Sequence, residues 1–273
     1  MKKSDPKNEP VVIVEREGAI LIVTLNRPEK RNAVNSEVMC RLYDAWKQLN
    51  DDDELRVGIL TGRGKVFCAG MDLDDLKKLR GDQKLDQWAD RVLHTPNLAY
   101  MAWLKVNRPK KPIILAAEGV ARAGGTEILQ GTDIRVAGES AMFGITEVQR
   151  ALIPLAGSSV RLRRQIPYAI AAEILLTGED MTAARAYEIG LINYVVPDGQ
   201  ALTKAKQIAQ RIADNGPLAV QGILATMRES ETLPEEQGFE IEMRYGLPVL
   251  MSEDGKEGPR AFFEKRKPAY KGR

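Results

Sequence analysis

A short apolar strand, a glycine-bearing loop and then a helical pattern recur along this chain, and that recurrence confines it to an α/β architecture. "RVGILTG" is such a strand, followed by "RGKVFCAGMDL" and a polar-flanked helical region from about residue 73 to 107. "KPIILAAEGVA" then runs into "GGTEILQG", and "DIRVAG" and "AMFG" come after it. Ahead of these, "VVIVERE", Gly18 and "AILIVTLNRP" read as two strands around a turn, with Pro28 closing the second. Behind a serine N-cap at Ser36, the positions Val38, Leu42, Ala45, Trp46 and Leu49 recur at helical spacing.

From residue 147 helices dominate, with one late strand in "LINYVVP". "TAARAYEIG" carries both ends of a helix, Thr182 as N-cap and Gly190 just past the end. Asn215 or Gly216 caps another, with Pro217 in the first turn, where its missing N–H is not needed. "PDGQ" at 197–200 marks a boundary between a mixed core, residues 1–198, and a helical C-terminal region, residues 199–273, read as an appendage. No fixed-period repeat or low-complexity segment interrupts this order.

Charge narrows the function. Forty Lys and Arg stand against 38 Asp and Glu, a net charge of +2, so no whole-chain field draws the protein to nucleic acid or lipid. No apolar run approaches the roughly 18 residues of a membrane span, and "MKKSDPKNEP" lacks the apolar stretch of an export signal. Cys40 and Cys68 are the two cysteines, too few for a disulfide framework or a zinc site, which places the chain in a reducing, cytoplasmic compartment. Small-molecule chemistry is the expectation that remains.

Glu127, in "GVARAGGTEILQGTD", follows two glycines inside a run otherwise built for burial. Glycines at a strand-to-helix junction permit close backbone approach, and the first helical N–H groups there are unpaired and favour anions. "VFCAGMDL" is a second loop of this kind, with Asp72 placed to cap the following helix, so two loops can present amides to one oxygen. Glu147, in "MFGITEVQRALIP", lies 20 residues after Glu127. Either glutamate alone reads as a helix-terminal residue, but two carboxylates facing one site can be driven to different proton affinities, one accepting a proton while the other donates.

Five stretches, "NRPEKRNAVN", "LTGRGKVFCAGMDL", "GVARAGGTEILQGTDIRVAGESAMFGITE", "LLTGEDMTAARAYEIGLINYVVP" and "EGPRAFFEKRKPAY", occur in order from about residue 11 to the C-terminus. Together they resemble the enoyl-CoA hydratase/isomerase, or crotonase, superfamily, and look most like its bacterial enoyl-CoA hydratases. The resemblance implies a spiral of ββα units with C-terminal helices that build trimers, often paired into hexamers. It implies an acyl-coenzyme A substrate whose thioester oxygen lies between the backbone N–H groups of Ala69 and Gly124. It implies that Glu127 helps activate water for attack at C3 while Glu147 exchanges the proton at C2. No metal or redox cofactor is called for, because an amide-held enolate stores the charge. Substrate contacts carried over by motif are Ala69, Gly70, Met71, Asp72 and Leu155. Phe262 and Lys265 match residues that reach the nucleotide end of coenzyme A, often from a neighbouring subunit, and Lys30 and Arg31 are a second pair for its phosphates.

Two departures stand out. Ala123 and Thr126 flank the glycines where the family often has a third glycine and a small residue, and alanine is accommodated provided position 123 does not need positive φ. Leu155 replaces a common glycine, altering shape while leaving its N–H to hold the water. His94, the single histidine, reads as structural, which sets histidine triads aside; Cys68 reads as packing. Trp88, Tyr100, Met101 and Trp103 fit core packing or the acyl-chain wall equally, and the bulk of that stretch points to a large or unusual acyl group. The rival readings are another crotonase reaction, double-bond isomerisation or carnitinyl-CoA-type dehydration, and a non-catalytic acyl-CoA-binding homologue.

Overall fold

The computed structural model describes residues 9–273. Residues 1–8, on which the expectation about an export signal falls, lie outside the described residues. The chain opens on the expected hairpin: β1 (Val12–Glu17) pairs antiparallel with β2 (Ile20–Leu25), and Gly18 turns at φ +58°. The helix α1 (Ser36–Asp51) starts one residue away from expectation. Asn35, not Ser36, is its cap, accepting the Val38 N–H at 3.0 Å. Ser36 is already helical, and its N–H and hydroxyl both donate to the buried Asp75.

Next come β3 (Val57–Gly62) and β4 (Val66–Cys68). The long helical region expected over residues 73–107 is three short helices, α2 (Leu73–Leu79), α3 (Gln87–His94) and α4 (Leu98–Ala102). Gly81 (φ +89°) and Asn97 (φ +61°), which follows Pro96, break it. The stretch read as one strand from 111 to 121 is likewise divided, into β5 (Ile113–Ala117) and β6 (Val120–Arg122). The corner between them is Gly119, at φ +64°, where any Cβ would run into the Lys65 carbonyl.

The chain continues through α5 (Gly124–Gly131), β7 (Ile134–Gly138), β8 (Met142–Gly144), a 3-10 turn at Glu147–Arg150, α6 (Ser158–Gln165) and α7 (Tyr168–Thr177). Then follow β9 (Met181–Thr182), α8 (Ala183–Glu188) and β10 (Tyr194–Val196). Four helices close it: α9 (Ala201–Ala213), α10 (Pro217–Ser230), α11 (Glu235–Met251) and α12 (Glu253–Phe263). Thr182 caps α8 through the Arg185 N–H, and Gly216 precedes Pro217 at α10, as the sequence indicates.

The strands form two sheets. One has the order β1-β2-β3-β5-β7-β10, parallel from β2 onward; the other is β4-β6-β8-β9. Each winding of chain therefore gives one strand to each sheet before its helix: β3 and β4, β5 and β6, β7 and β8. This is the spiral of ββα units that the resemblance implies. Alternation sorts the side chains of the larger sheet: Leu21, Val23, Leu60, Leu115 and Ala117 enter the main core, while Ile20, Ile22, Val57, Ile59, Ile114, Ala116 and Val136 face the other way. That second face is covered by α9, with Ala201, Ala205, Ile208, Ala209 and Ala213 on one stripe. Small alanines let the helix lie close, and each isoleucine buried there contributes about 2 kcal/mol. The helical region that begins near 199 thus starts with a helix belonging to the sheet; α10 to α12 follow it.

Candidate active site

All eight residues of α5 are buried, including Thr126, Glu127 and Gln130. Packing this helix so tightly explains its glycines. A Cβ on Gly124 would meet the Trp103 ring at 2.7 Å, and one on Gly125 would run into the Cys68 carbonyl. Thr126 earns its place by its hydroxyl, which donates to Ala121 O at 2.7 Å and accepts from Gly144 N–H at 3.2 Å, tying β6 and β8 to the helix. Ala123 corrects an expectation: it sits at φ +49°, ψ −124°, a conformation suited to glycine. Ala123→Gly is therefore expected to raise stability by about 1 kcal/mol, roughly 2–4 °C in Tm. Calorimetry showing an unchanged or lower Tm would contradict this.

Glu127 is 3% exposed, and its carboxylate is held by the start of α6. Ser158 N–H donates to Oε1 at 3.1 Å, and the amides of Ala156 and Gly157 and the Ser158 hydroxyl also approach it. One turn along α5, Gln130 donates to the Ser158 oxygen at 2.8 Å and fixes it. Burial raises the Glu127 pKa, and these hydrogen bonds restrain the rise. Across from it, on the 3-10 turn after β8, stands Glu147. Its Oε2 is buried with no hydrogen-bond partner among the described residues. Burial first, and then the charge of Glu127, push the Glu147 carboxyl up from 4.5 to about 7. The two carboxyls are close enough for the charge of one to bear on the other, so they do not ionise independently.

The second amide loop follows β4. Here the expected donor is corrected: Ala69 N–H already donates to Arg31 O at 3.0 Å. Two residues on, Met71 N–H has no acceptor among the described residues, and neither has Gly124 N–H at the start of α5. Gly70, at φ +93°, lies against the second of these: a Cβ there would be 3.1 Å from Gly124 N. The free amides of Met71 and Gly124 thus belong to abutting loops.

The other expected residues divide. Lys30 and Arg31 are exposed, and the Arg31 carbonyl accepts the Ala69 N–H of the loop after β4. Asp72 is engaged internally, capping α2 through the Asp74 N–H and pairing with Arg27 at 3.1 Å, which removes it as a free substrate contact. Leu155 is 67% exposed just before the Glu127 cradle. Phe262 (79% exposed) and Lys265 stand at the end of α12, which packs on α11, and nothing within one chain places them at the site. Trp103 is the aromatic that reaches the site; Trp88 instead stacks under Arg41 of α1. His94 is exposed, pairing with Asp90. Burial holds the Cys68 thiol up near 12, which leaves it without nucleophilic character. Ser158 and Gln130 escaped the sequence reading, although "AGSS" ahead of a helical pattern is the signature of a helix start that can hold a carboxylate.

Two neighbouring carboxyls, Glu127 and Glu147, and two abutting loops that each leave a backbone amide free, at Met71 and Gly124, are the groups with chemistry that the fold gathers here. The sequence model of enoyl-CoA hydratase/isomerase matches residues 15–273, and the chain belongs to that family. Among its relatives, enoyl-CoA hydratase EchA19 of Mycobacterium tuberculosis is 53% identical over 264 residues, covering 97% of both chains. Carnitinyl-CoA dehydratase of Salmonella agona is 36% identical, covering 94% of this chain and 97% of the relative. A crystal structure of an enoyl-CoA hydratase from Mycobacterium tuberculosis superposes with a TM-score of 0.88 at 42% identity, over 97% of this chain and all of that one.

Proposed function

We propose that the protein is an enoyl-CoA hydratase that adds water to a trans-2-enoyl-CoA to give a 3-hydroxyacyl-CoA. The observation that carries this reading is the pair itself: Glu147, unpartnered at one buried oxygen and raised to about 7, facing Glu127 in its amide cradle. In this reading Glu127 takes a proton from the water as its oxygen bonds to C3. The electron pair of the double bond moves onto the thioester oxygen, held by the N–H groups of Met71 and Gly124, and Glu147 delivers its proton to C2. Met71 replaces Ala69 as donor because the Ala69 N–H is occupied. Each such donor is worth about 3 kcal/mol in the transition state, so the chemistry asks for no metal or redox group. Leu155 N–H, with no acceptor among the described residues, is available to hold the water.

Coenzyme A fits the rim through Lys30 and Arg31, with Phe262 and Lys265 supplied by a neighbouring copy in a homotrimer or hexamer. Ile223, Met227, Phe239, Met243, Leu247 and Leu250, exposed on α10 and α11, support such an assembly. Buried, unpaired Cys40 and Cys68 suit a cytoplasmic setting, and among the described residues no helix is long and apolar enough to cross a membrane.

Mixing the protein with crotonyl-CoA is expected to remove the absorbance of the conjugated thioester, with a product heavier by one water. No change across short, long and branched enoyl-CoAs would overturn hydration. Elimination from a carnitinyl thioester uses the same pair in reverse, and product identification separates the two.

A further inference from the structure

We infer that Arg161 and Lys105 are positioning residues: together they strap the turn after α4 to the head of α6 and thereby fix the amide cradle of Glu127. Hydration is taken from the proposed reading above; the strap rests on independent geometry. Arg161, on α6, sends Nη2 to two successive carbonyls of that turn, Leu104 O at 2.6 Å and Lys105 O at 2.8 Å. Lys105 returns the tie, its Nζ donating to Leu155 O at 2.7 Å while resting over the Tyr100 ring. Between the two anchor points on the α6 side, Leu155 and Arg161, lie Ala156, Gly157 and Ser158, whose amides hold Glu127.

The turn being strapped is strained. Leu104 is a non-glycine residue at φ +53°, buried against Gly131 at the far end of α5 so closely that a Cβ on Gly131 would lie 2.6 Å from that of Leu104. Such a conformation persists only where surroundings hold it. Trp103, immediately before, packs on Gly124, so the same turn also backs the free amide at the head of α5. A guanidinium reaches both carbonyls through one nitrogen and keeps its plane; a second nitrogen, Nη1, is buried beside Gly131 with no hydrogen-bond partner among the described residues. Thus one strap bears on both halves of the site. The charged groups around Glu127 are Glu147 and Arg161 itself.

The test uses the full chain and crotonyl-CoA, comparing Arg161→Gln, Arg161→Lys and Lys105→Met, with the exposed neighbour Arg163→Gln as a control for charge. Arg161→Gln is expected to lower kcat by about 100-fold with KM nearly unchanged, since small displacements of an aligned group suffice for that loss. Looser amides raise the Glu127 pKa, so the acid limb of the kcat profile moves to higher pH. Hydrogen exchange across residues 154–160 should quicken by about tenfold. Arg161→Lys restores most of kcat, Lys105→Met shows the same changes in milder form, and Arg163→Gln matches the wild type. A wild-type kcat and acid limb in Arg161→Gln overturn the proposal, as does a loss that only tracks the unfolded fraction. If the wild type itself leaves enoyl-CoAs unchanged, hydration falls as the reading, and the exchange rates alone decide the strap, faster supporting it and unchanged refuting it.

Discussion

Glu147→Gln is expected to lower enoyl-CoA hydration by about 10²–10⁴-fold, the range for removing a positioned proton donor, while making the protein more stable at neutral pH. Both effects come from one arrangement. In the folded chain the Glu147 carboxyl ionises only near 7, against an ordinary value of 4.5, because it is half-buried and lies beside Glu127. Between those values the folded state binds more protons than the unfolded one, so stability falls as pH rises through the window. Glutamine removes the ionisation. Its advantage in stability should therefore be absent below about pH 4.5, grow towards pH 7 and level off above it, reaching on the order of 1–2 kcal/mol once partial solvent access is discounted. Denaturant titrations at pH 4, 6 and 8 beside kcat at each pH measure both. Equal stability of the two proteins at pH 8 would argue against a raised Glu147 carboxyl. A Glu127→Gln variant that keeps full rate while Glu147→Gln is inert would favour isomerisation.

Gly124→Ala is the second large effect, an expected 10²–10³-fold fall in kcat from the loss of one donor to the oxyanion. The added methyl meets Trp103 ring atoms at 2.7 and 2.9 Å, and both the buried ring and the head of α5 must shift to admit it. The N–H turns away from its partner at Met71, while Lys30 and Arg31, the proposed coenzyme A contacts, lie on another loop, so KM is expected to move little. Overpacking should also lower stability by about 1–3 kcal/mol. Steady-state kinetics with crotonyl-CoA and calorimetry check the two parts. Trimming the ring in the double variant Gly124→Ala, Trp103→Leu should return part of the rate. A normal rate in Gly124→Ala would remove this amide from the mechanism.

What the sequence disclosed and what it hid follow from range. The β1–β2 hairpin, the Thr182 cap and the Gly216–Pro217 start depend on neighbours a few residues apart, and their signals are local. The two glutamates and their glycine loops were legible for the same reason. Which amide of "CAGMDL" is free was not, because Ala69 is satisfied by Arg31 from a distant loop. Nor did composition reveal that "KPIILAAEGVA" feeds two sheets, since Glu118 and Gly119 are a weak local break and it is the approach of the Lys65 carbonyl that makes Gly119 a corner. Ala123 shows the same limit from the other side: its identity argued for ordinary backbone, and the junction of α5 with β6 imposes positive φ nonetheless.

The division of each winding between two sheets bears on how the molecule comes to be folded. Met71, Gly124, Glu127, Glu147 and Ser158 come from three successive windings, and none of the ladders that gather them closes through a tight hairpin. Parallel pairing across intervening helices must form the loops before it gains the contacts. Assembly of these residues therefore waits on long-range parallel pairing, whereas the β1–β2 hairpin closes through a local turn.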